Sequence, residues 1–303
     1  MSKNIVSDNN EKSFRDYENA RDGVKHLYRE QRKNQCICYV QRMHRKYLPS
    51  SNECEQIITM SVWNALKSLS LIVDKSDPDT TVPNIEHAFQ TAEGIRNAKL
   101  PDWMQLAGLL HDLGKVIYMK GCKEDGTDVT TQYGVVGDTY PIGVLDVEHN
   151  KMVSIPNSTS LVFPEFNNSC TCECLNNNNS ESCREIGFSN CLFSFGHDEY
   201  LWQVLKHNSR SYSCKLKLSI DLPWEFMYII RFHSFYAWHE HGSYAELSEF
   251  ADSVALNVLK QFSSFDLYTK DDNKRVDIEN LKPYYNSLML KYLGCSLDDG
   301  IAF

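Results

Sequence analysis

The sequence predicts a mainly α, single-domain helical bundle with long loops and a short β-hairpin. Three observations carry this. In most of the chain, apolar residues recur at three- and four-residue spacing, the signature of one buried helix face. Residues 121–190 lose that period and fill with Gly, Asn, Pro and Cys, which reads as loops and short strands. The chain has 303 residues and is 42% hydrophobic, enough to bury a sizeable core.

Residues 1–13 read as a flexible polar N-terminus ahead of one domain spanning 14–303. Over residues 22–47 the apolar positions fall among many Lys and Arg, predicting a surface helix with one buried stripe. A second helix is expected over 55–71, followed by a loop at Asp74-Lys75-Ser76-Asp77-Pro78-Asp79. Asn84 reads as an N-cap, which puts His87 in the first turn of a helix reaching Ala98. Asp102 followed by Gln105 resembles a capping box that opens a central helix over 103–119, carrying His111 and Asp112. After the irregular middle, helical period returns over 198–207, 223–239, 244–262 and 281–292.

The formal charge of −9 disfavours nucleic acid, whose recognition needs a basic face. No uncharged apolar run approaches the ~20 residues of a membrane span, the first dozen residues lack a secretory core, and Met1-Ser2 is not a myristoylation start. The expectation is a soluble cytoplasmic protein without nucleic-acid or membrane partners. Eleven cysteines, an odd number, then read as reduced thiols.

Four histidines and two aspartates, His87, His111, Asp112, His197, His233 and Asp266, sit in or beside apolar helical segments, where unpaired polar groups are costly. Imidazole with carboxylate suits iron, manganese or zinc, and two ions in one pocket call for a bridging carboxylate. The adjacent His111-Asp112 fits that demand, since neighbouring helical residues point about 100° apart. Lys115, four residues after His111, is expected on the same helix face, aimed at the same pocket.

A His, a His-Asp pair and a distant Asp, here His87, His111-Asp112 and Asp266, resemble the skeleton of the HD-domain superfamily of metal-dependent helical proteins. Further strings resemble the myo-inositol oxygenase family: FRDY at 14–17, DKSDPD at 74–79, HAFQTAEGIR at 87–96, GLLHDLGKV at 108–116 and VVGDTYPIG at 135–143. SFGHDEY at 194–200, IRFHSFYAWH at 230–239, FDLYTK at 265–270 and LKPYY at 281–285 continue the register. The resemblance implies an HD-domain-like fold and cleavage of the myo-inositol ring by O2 to D-glucuronate and water. It implies two iron ions, Fe2+ and Fe3+, on His87, His111, Asp112, His197, His233 and Asp266, with Asp112 as the bridge. Substrate positions carry over to Arg15, Asp74, Lys75, Ser76, Lys115, Gly137, Asp138, His233 and Ser234, with Lys115 stabilising the coordinated alkoxide. Myo-inositol and O2 are then the partners, and a monomer is expected.

Lys75 stands where the family commonly has an acidic residue, Ala237 replaces a usual proline, and the segments after Met119 and at 213–219 are longer than in the animal enzymes. An HD-type phosphohydrolase is the rival class. It needs cations for phosphate, whereas the candidate loops offer Asp74, Asp77, Asp79 and Asp138. The Cys170, Cys172, Cys174, Cys183 and Cys191 cluster lacks the usual paired zinc-knuckle spacing and reads as free loop thiols.

Overall fold

Residues 22–47 fold as two helices rather than one in a computed structural model that describes residues 20–78, 82–146, 151–155, 186–268 and 275–303. Helix α1 (Asp22–Asn34) buries Val24, Leu27, Tyr28, Gln31 and Arg32, and α2 (Ile37–Tyr47) buries Ile37, Tyr39, Val40, Met43 and Tyr47. Gln35 breaks the run. Its buried carboxamide donates to the Phe195 carbonyl at 2.6 Å and accepts from the Phe195 amide at 2.8 Å. A long-range partner sets this break; no Gly or Pro marks it locally.

The helix expected over 55–71 is shorter. Residues 59–61 form β1 (Thr59–Ser61), paired antiparallel with residues 300–302 near the C-terminus, and α3 (Val62–Ser68) follows. The Ser61 hydroxyl caps α3 by accepting from the Asn64 amide at 3.1 Å.

Helices α4 (Asn84–Asn97) and α5 (Asp102–Leu110) are adjacent and pack together, but neither expected cap forms. Pro83 and Pro101 hold the N-cap positions. The Asn84 amide group donates to the Ile72 carbonyl at 2.9 Å, while Asp102 accepts from Lys291 at 2.6 Å and Tyr292 at 2.5 Å. Tertiary partners have taken both side chains away from the helix ends. The expected helix over 103–119 also divides: α5 ends at Leu110, His111 caps it, and residues Leu113–Met119 tighten into a 3-10 turn. Gly114 lies in that turn, where any Cβ would overlap the His197 carbonyl. Its missing side chain lets the turn press against α6 (His197–Arg210).

Strand β2 (Pro141–Asp146) is central to a three-stranded antiparallel sheet, between β3 (Lys151–Ser154) and β4 (Cys191–Phe193). The β2–β3 pair, with Val144 opposite Val153, is the expected hairpin. Cys191 is buried, with its thiol donating to the Gly187 carbonyl at 3.6 Å. The other four cysteines of the expected cluster, the boundary at residue 13 and Arg15 lie outside the described residues.

After α6 come α7 (Glu225–Phe232), the short α8 (Tyr236–His239), α9 (Phe250–Tyr268) and α10 (Ile278–Leu293), and β5 (Gly300–Ala302) closes on β1. The helix expected over 223–239 is interrupted at residues 233–235, and α9 runs past Phe262 to carry Asp266. Helix α5 packs against α4, α7, α9 and α10, the central placement expected of it. One contiguous hydrophobic cluster spans Leu27 to Phe303. Within it Phe89 meets Trp63 and Tyr285 edge-on, so Phe89→Ala would cost about 3–5 kcal/mol.

Candidate metal centre

Six residues from five places in the sequence converge on one buried point. His87 comes from the start of α4, His111 and Asp112 from the end of α5, His197 from the first position of α6, His233 from the cap of α7, and Asp266 from the last turn of α9. None is more than 6% exposed.

They divide into two groups that share Asp112. In the first, the His87 Nε2 lies 2.8 Å from the Asp266 Oδ1 and 3.3 Å from the His111 Nε2, and the Asp112 Oδ2 lies 3.7 and 3.6 Å from the two imidazoles. In the second, the His197 and His233 Nε2 atoms are 3.1 Å apart and the Asp112 Oδ1 is 3.2 and 3.7 Å from them. One carboxylate therefore turns each of its oxygens to a different histidine pair. Donor atoms about 2.1 Å from a common ion lie roughly 3 Å apart, so these spacings and this donor chemistry fit a pair of divalent or trivalent transition-metal ions.

Backbone carbonyls orient three of the imidazoles. The Nδ1–H of His111 donates to Gly108, that of His197 to Val135 and that of His233 to Ile229, at 2.8, 2.8 and 3.1 Å. A carbonyl only accepts, so Nδ1 carries the proton and the Nε2 lone pair faces the centre. Tyr236 donates to the Asp266 Oδ2 at 2.9 Å and leaves Oδ1 turned inward. Burial alone lowers the His197 imidazole, but Asp198 and Asp112 outweigh it and push it up to about 10. Burial alone raises Asp112, yet Lys115 and His111 hold it well below the usual carboxylate range. The protein groups by themselves concentrate negative charge here, and cations bound at this point compete with protons.

Lys115 is buried, and its ammonium donates to Asp74 Oδ2, Asn84 Oδ1 and Asp112 Oδ2, each at 2.8 Å. It was expected one α-turn beyond His111. The 3-10 turn instead aligns positions three apart and sets it over Asp112. Burial lowers its pKa, but Asp112 and Asp74 outweigh burial and hold it above the ordinary lysine value.

The centre opens into a narrow cleft lined by Asp74, Ser76, Asp77, Asn84, Lys115, Gly137, Ser234 and Tyr236 beside His87, Asp112, His197, His233 and Asp266. Asp74 holds the Ser76 amide and hydroxyl at 2.8 and 2.6 Å. Gly137 has φ +101°, a left-handed backbone that favours glycine, and a Cβ there would press on the Gln31 side chain. Two expected positions do not line this cleft. Lys75 turns its ammonium to the Thr130 carbonyl at 2.7 Å and lines a neighbouring groove with Arg21 and Lys123. Asp138 sits behind the wall, its Oδ1 accepting from the Tyr28 hydroxyl at 3.0 Å.

A model of the myo-inositol oxygenase family matches residues 21–298. The chain belongs to this family. Among its relatives are the inositol oxygenase of Dictyostelium discoideum, 39% identical over 92% of this chain and 87% of that one, and that of Danio rerio, 38% identical over 92% and 90%. A probable inositol oxygenase of Oryza sativa is 36% identical over 97% of this chain and 88% of its own. The family expected from the strings is thus the family found.

Sequence reasoning missed Asp198. It is fully buried, and its Oδ1 lies 2.8 Å from the His197 Nε2 and 3.3 Å from the His233 Nε2. A signal was present, because His197-Asp198 repeats the order of His111-Asp112. Asn84 was read as a cap and is a Lys115 partner instead, and Tyr236 was not singled out.

Proposed function

We propose that this protein is an inositol oxygenase that cleaves the ring of myo-inositol with O2, giving D-glucuronate and water. The reaction balances as C6H12O6 + O2 → C6H10O7 + H2O, a four-electron oxidation. The observation that carries the reading is the split Asp112 carboxylate between two histidine pairs, in a chain that belongs to the myo-inositol oxygenase family. His87, His111, Asp266 and Asp112 would hold one iron, and His197, His233 and Asp112 the other, as an Fe2+/Fe3+ pair. Bound iron supplies the redox capacity for activating O2 that side chains lack.

The remaining work belongs to the chain. Asp74, Ser76 and Ser234 offer acceptors and hydroxyl donors to a polyol, and Gly137 lets the backbone approach it. Lys115 keeps its proton beside Asp112 and Asp74 and presents a cation to a substrate hydroxyl that gives up its own. Burial of the six ligands keeps bulk water from the reacting carbon. Arg15, Lys75 and Asp138 belong to the proposed substrate set by family resemblance, with Lys75 and Asp138 at its margin. Lys115 is the one lysine or arginine among the described residues that line the cleft, and it is fully engaged, so no free side-chain cation receives a phosphate, which argues against the phosphohydrolase reading.

We assign the protein to the cytoplasm as a monomer of 35.0 kDa, comprising one domain over residues 14–303, with myo-inositol and O2 as its partners and neither nucleic acid nor membrane. No helix among the described residues is long and apolar enough to cross a membrane, and the described cysteines are free. The test is oxygen uptake by iron-loaded protein with myo-inositol. One O2 consumed per D-glucuronate formed is expected; phosphate release from nucleotides without oxygen uptake would refute the reading.

A further inference from the structure

Asp198 joins three segments that are far apart in sequence. Its Oδ2 accepts from the Ser234 amide at 3.0 Å and the Thr139 hydroxyl at 3.1 Å, and its Oδ1 accepts from the Ser234 hydroxyl at 3.2 Å. Directly alongside, the Thr139 amide donates to the Ser234 carbonyl at 3.0 Å. Thr139 follows the loop that presents Gly137 to the cleft. Ser234 lies in the break between α7 and α8 and lines the cleft itself, next to His233. Asp198 belongs to the first turn of α6, next to His197.

A break in a helix leaves amides without intrahelical partners, and a buried amide must find one. At the α7–α8 break the Ser234 amide finds Asp198. A carboxylate has about four lone-pair positions; three are taken by the Ser234 and Thr139 donors, and the fourth, on Oδ1, is turned to the His197 Nε2 at 2.8 Å. Asp112 differs in its other donors: among the described residues its one donor besides histidine is Lys115, whereas Asp198 has three bonds to the walls of the cleft in addition to its histidine neighbours.

We infer that Asp198 is a positioning residue for the polyol: it clamps the Gly137–Thr139 loop to the Ser234 turn and so fixes the wall of the cleft that the substrate meets. The inference rests on the inositol oxygenase reading for the identity of the substrate, but the clamp itself does not. Its charge makes the clamp strong, since hydrogen bonds to an ionised acceptor exceed those between neutral groups.

The test is Asp198→Asn in the full, iron-loaded chain. Iron per chain stays at the wild-type value, KM for myo-inositol rises on the order of tenfold, and kcat moves by less than about threefold. Amide exchange in a peptide covering residues 232–236 speeds up about tenfold or more while the α4 and α5 amides keep their protection. Combining Asp198→Asn with Thr139→Val raises KM by less than the product of the two single effects, because both variants weaken the same clamp bond. Loss of iron would make Asp198 a metal ligand and overturn the inference. So would a fall in kcat at constant KM, additive effects in the double variant, or unchanged exchange. If Asp198→Asn does not fold, Thr139→Val removes one clamp bond; a KM increase of about two- to fivefold with iron unchanged is expected, and wild-type KM and exchange would overturn the clamp. Should the wild-type protein itself fail to oxidise inositol, the oxygenase reading falls, while the exchange measurement still decides whether Asp198 holds the Ser234 turn.

Discussion

Replacing Lys115 by methionine keeps the length of the side chain and removes its charge from a closed site. The Lys115 side chain is 4% exposed and its ammonium donates to Asp74, Asn84 and Asp112 at 2.8 Å each, so the variant leaves the buried Asp112 carboxylate, the partly buried Asp74 carboxylate and one amide oxygen without that partner. Breaking a buried ion pair by deleting one member costs about 3–5 kcal/mol, mostly from the charge left behind. At about 2–4 °C per kcal/mol for a chain of this size, metal-free Lys115→Met should melt roughly 6–20 °C below the metal-free wild type. Iron changes the comparison, because a cation at the Asp112 oxygens compensates the carboxylate that lysine has abandoned. The melting difference between variant and wild type should therefore shrink by at least half when both are iron-loaded. Turnover should still fall about a hundredfold or more, since no other lysine or arginine lines the described part of the cleft. The assay is differential scanning fluorimetry of the four samples with parallel oxygen uptake. An equal melting loss with and without iron, or one below about 3 °C, would refute the electrostatic reasoning; full turnover would remove Lys115 from the chemistry.

Removing His197 or His233 should lower bound iron from about two to about one per chain, measured by inductively coupled plasma spectrometry, and abolish oxygen uptake; two tightly held irons in either variant would reject the ligand assignment. Asp112→Ala should weaken both positions together, so that iron falls below one per chain at a loading that saturates the wild type. Gly114→Ala places a methyl against the His197 carbonyl, an overpacking expected to cost about 1–3 kcal/mol, and should lower the melting temperature and displace the α6 ligand enough to lose activity. Gln35→Leu leaves the buried Phe195 amide and carbonyl without their partner, at about 1–3 kcal/mol for each unsatisfied group, and should reduce urea stability while the iron count stays unchanged.

The helical class, the central place of residues 103–110, the hairpin in the irregular middle and the six metal-site candidates were all legible in the sequence. Local periodicity and residue type carry that information, and the family strings added iron as the expected metal. What local pattern could not carry is where a helix ends when its partner is distant. The break at Gln35 depends on Phe195, the shortened helix after residue 55 depends on pairing with residues 300–302, and Asn84 and Asp102 gave up their caps to Lys115 and to Lys291 with Tyr292. The same limit applies at the centre. Spacing from His111 pointed to Lys115, but only the 3-10 turn set it over Asp112. Lys75 and Asp138 stand in the matching strings, yet their side chains turn to Thr130 and Tyr28. Asp198 passed as one more acidic residue beside a histidine until the fold brought Thr139 and Ser234 to its two oxygens. Sequence fixes which groups can ligate, donate or accept. Tertiary packing decides which of them meet, because a hydrogen bond or a shared ion requires donor and acceptor within about 3 Å, and residues far apart along the chain reach that distance only through the folded core.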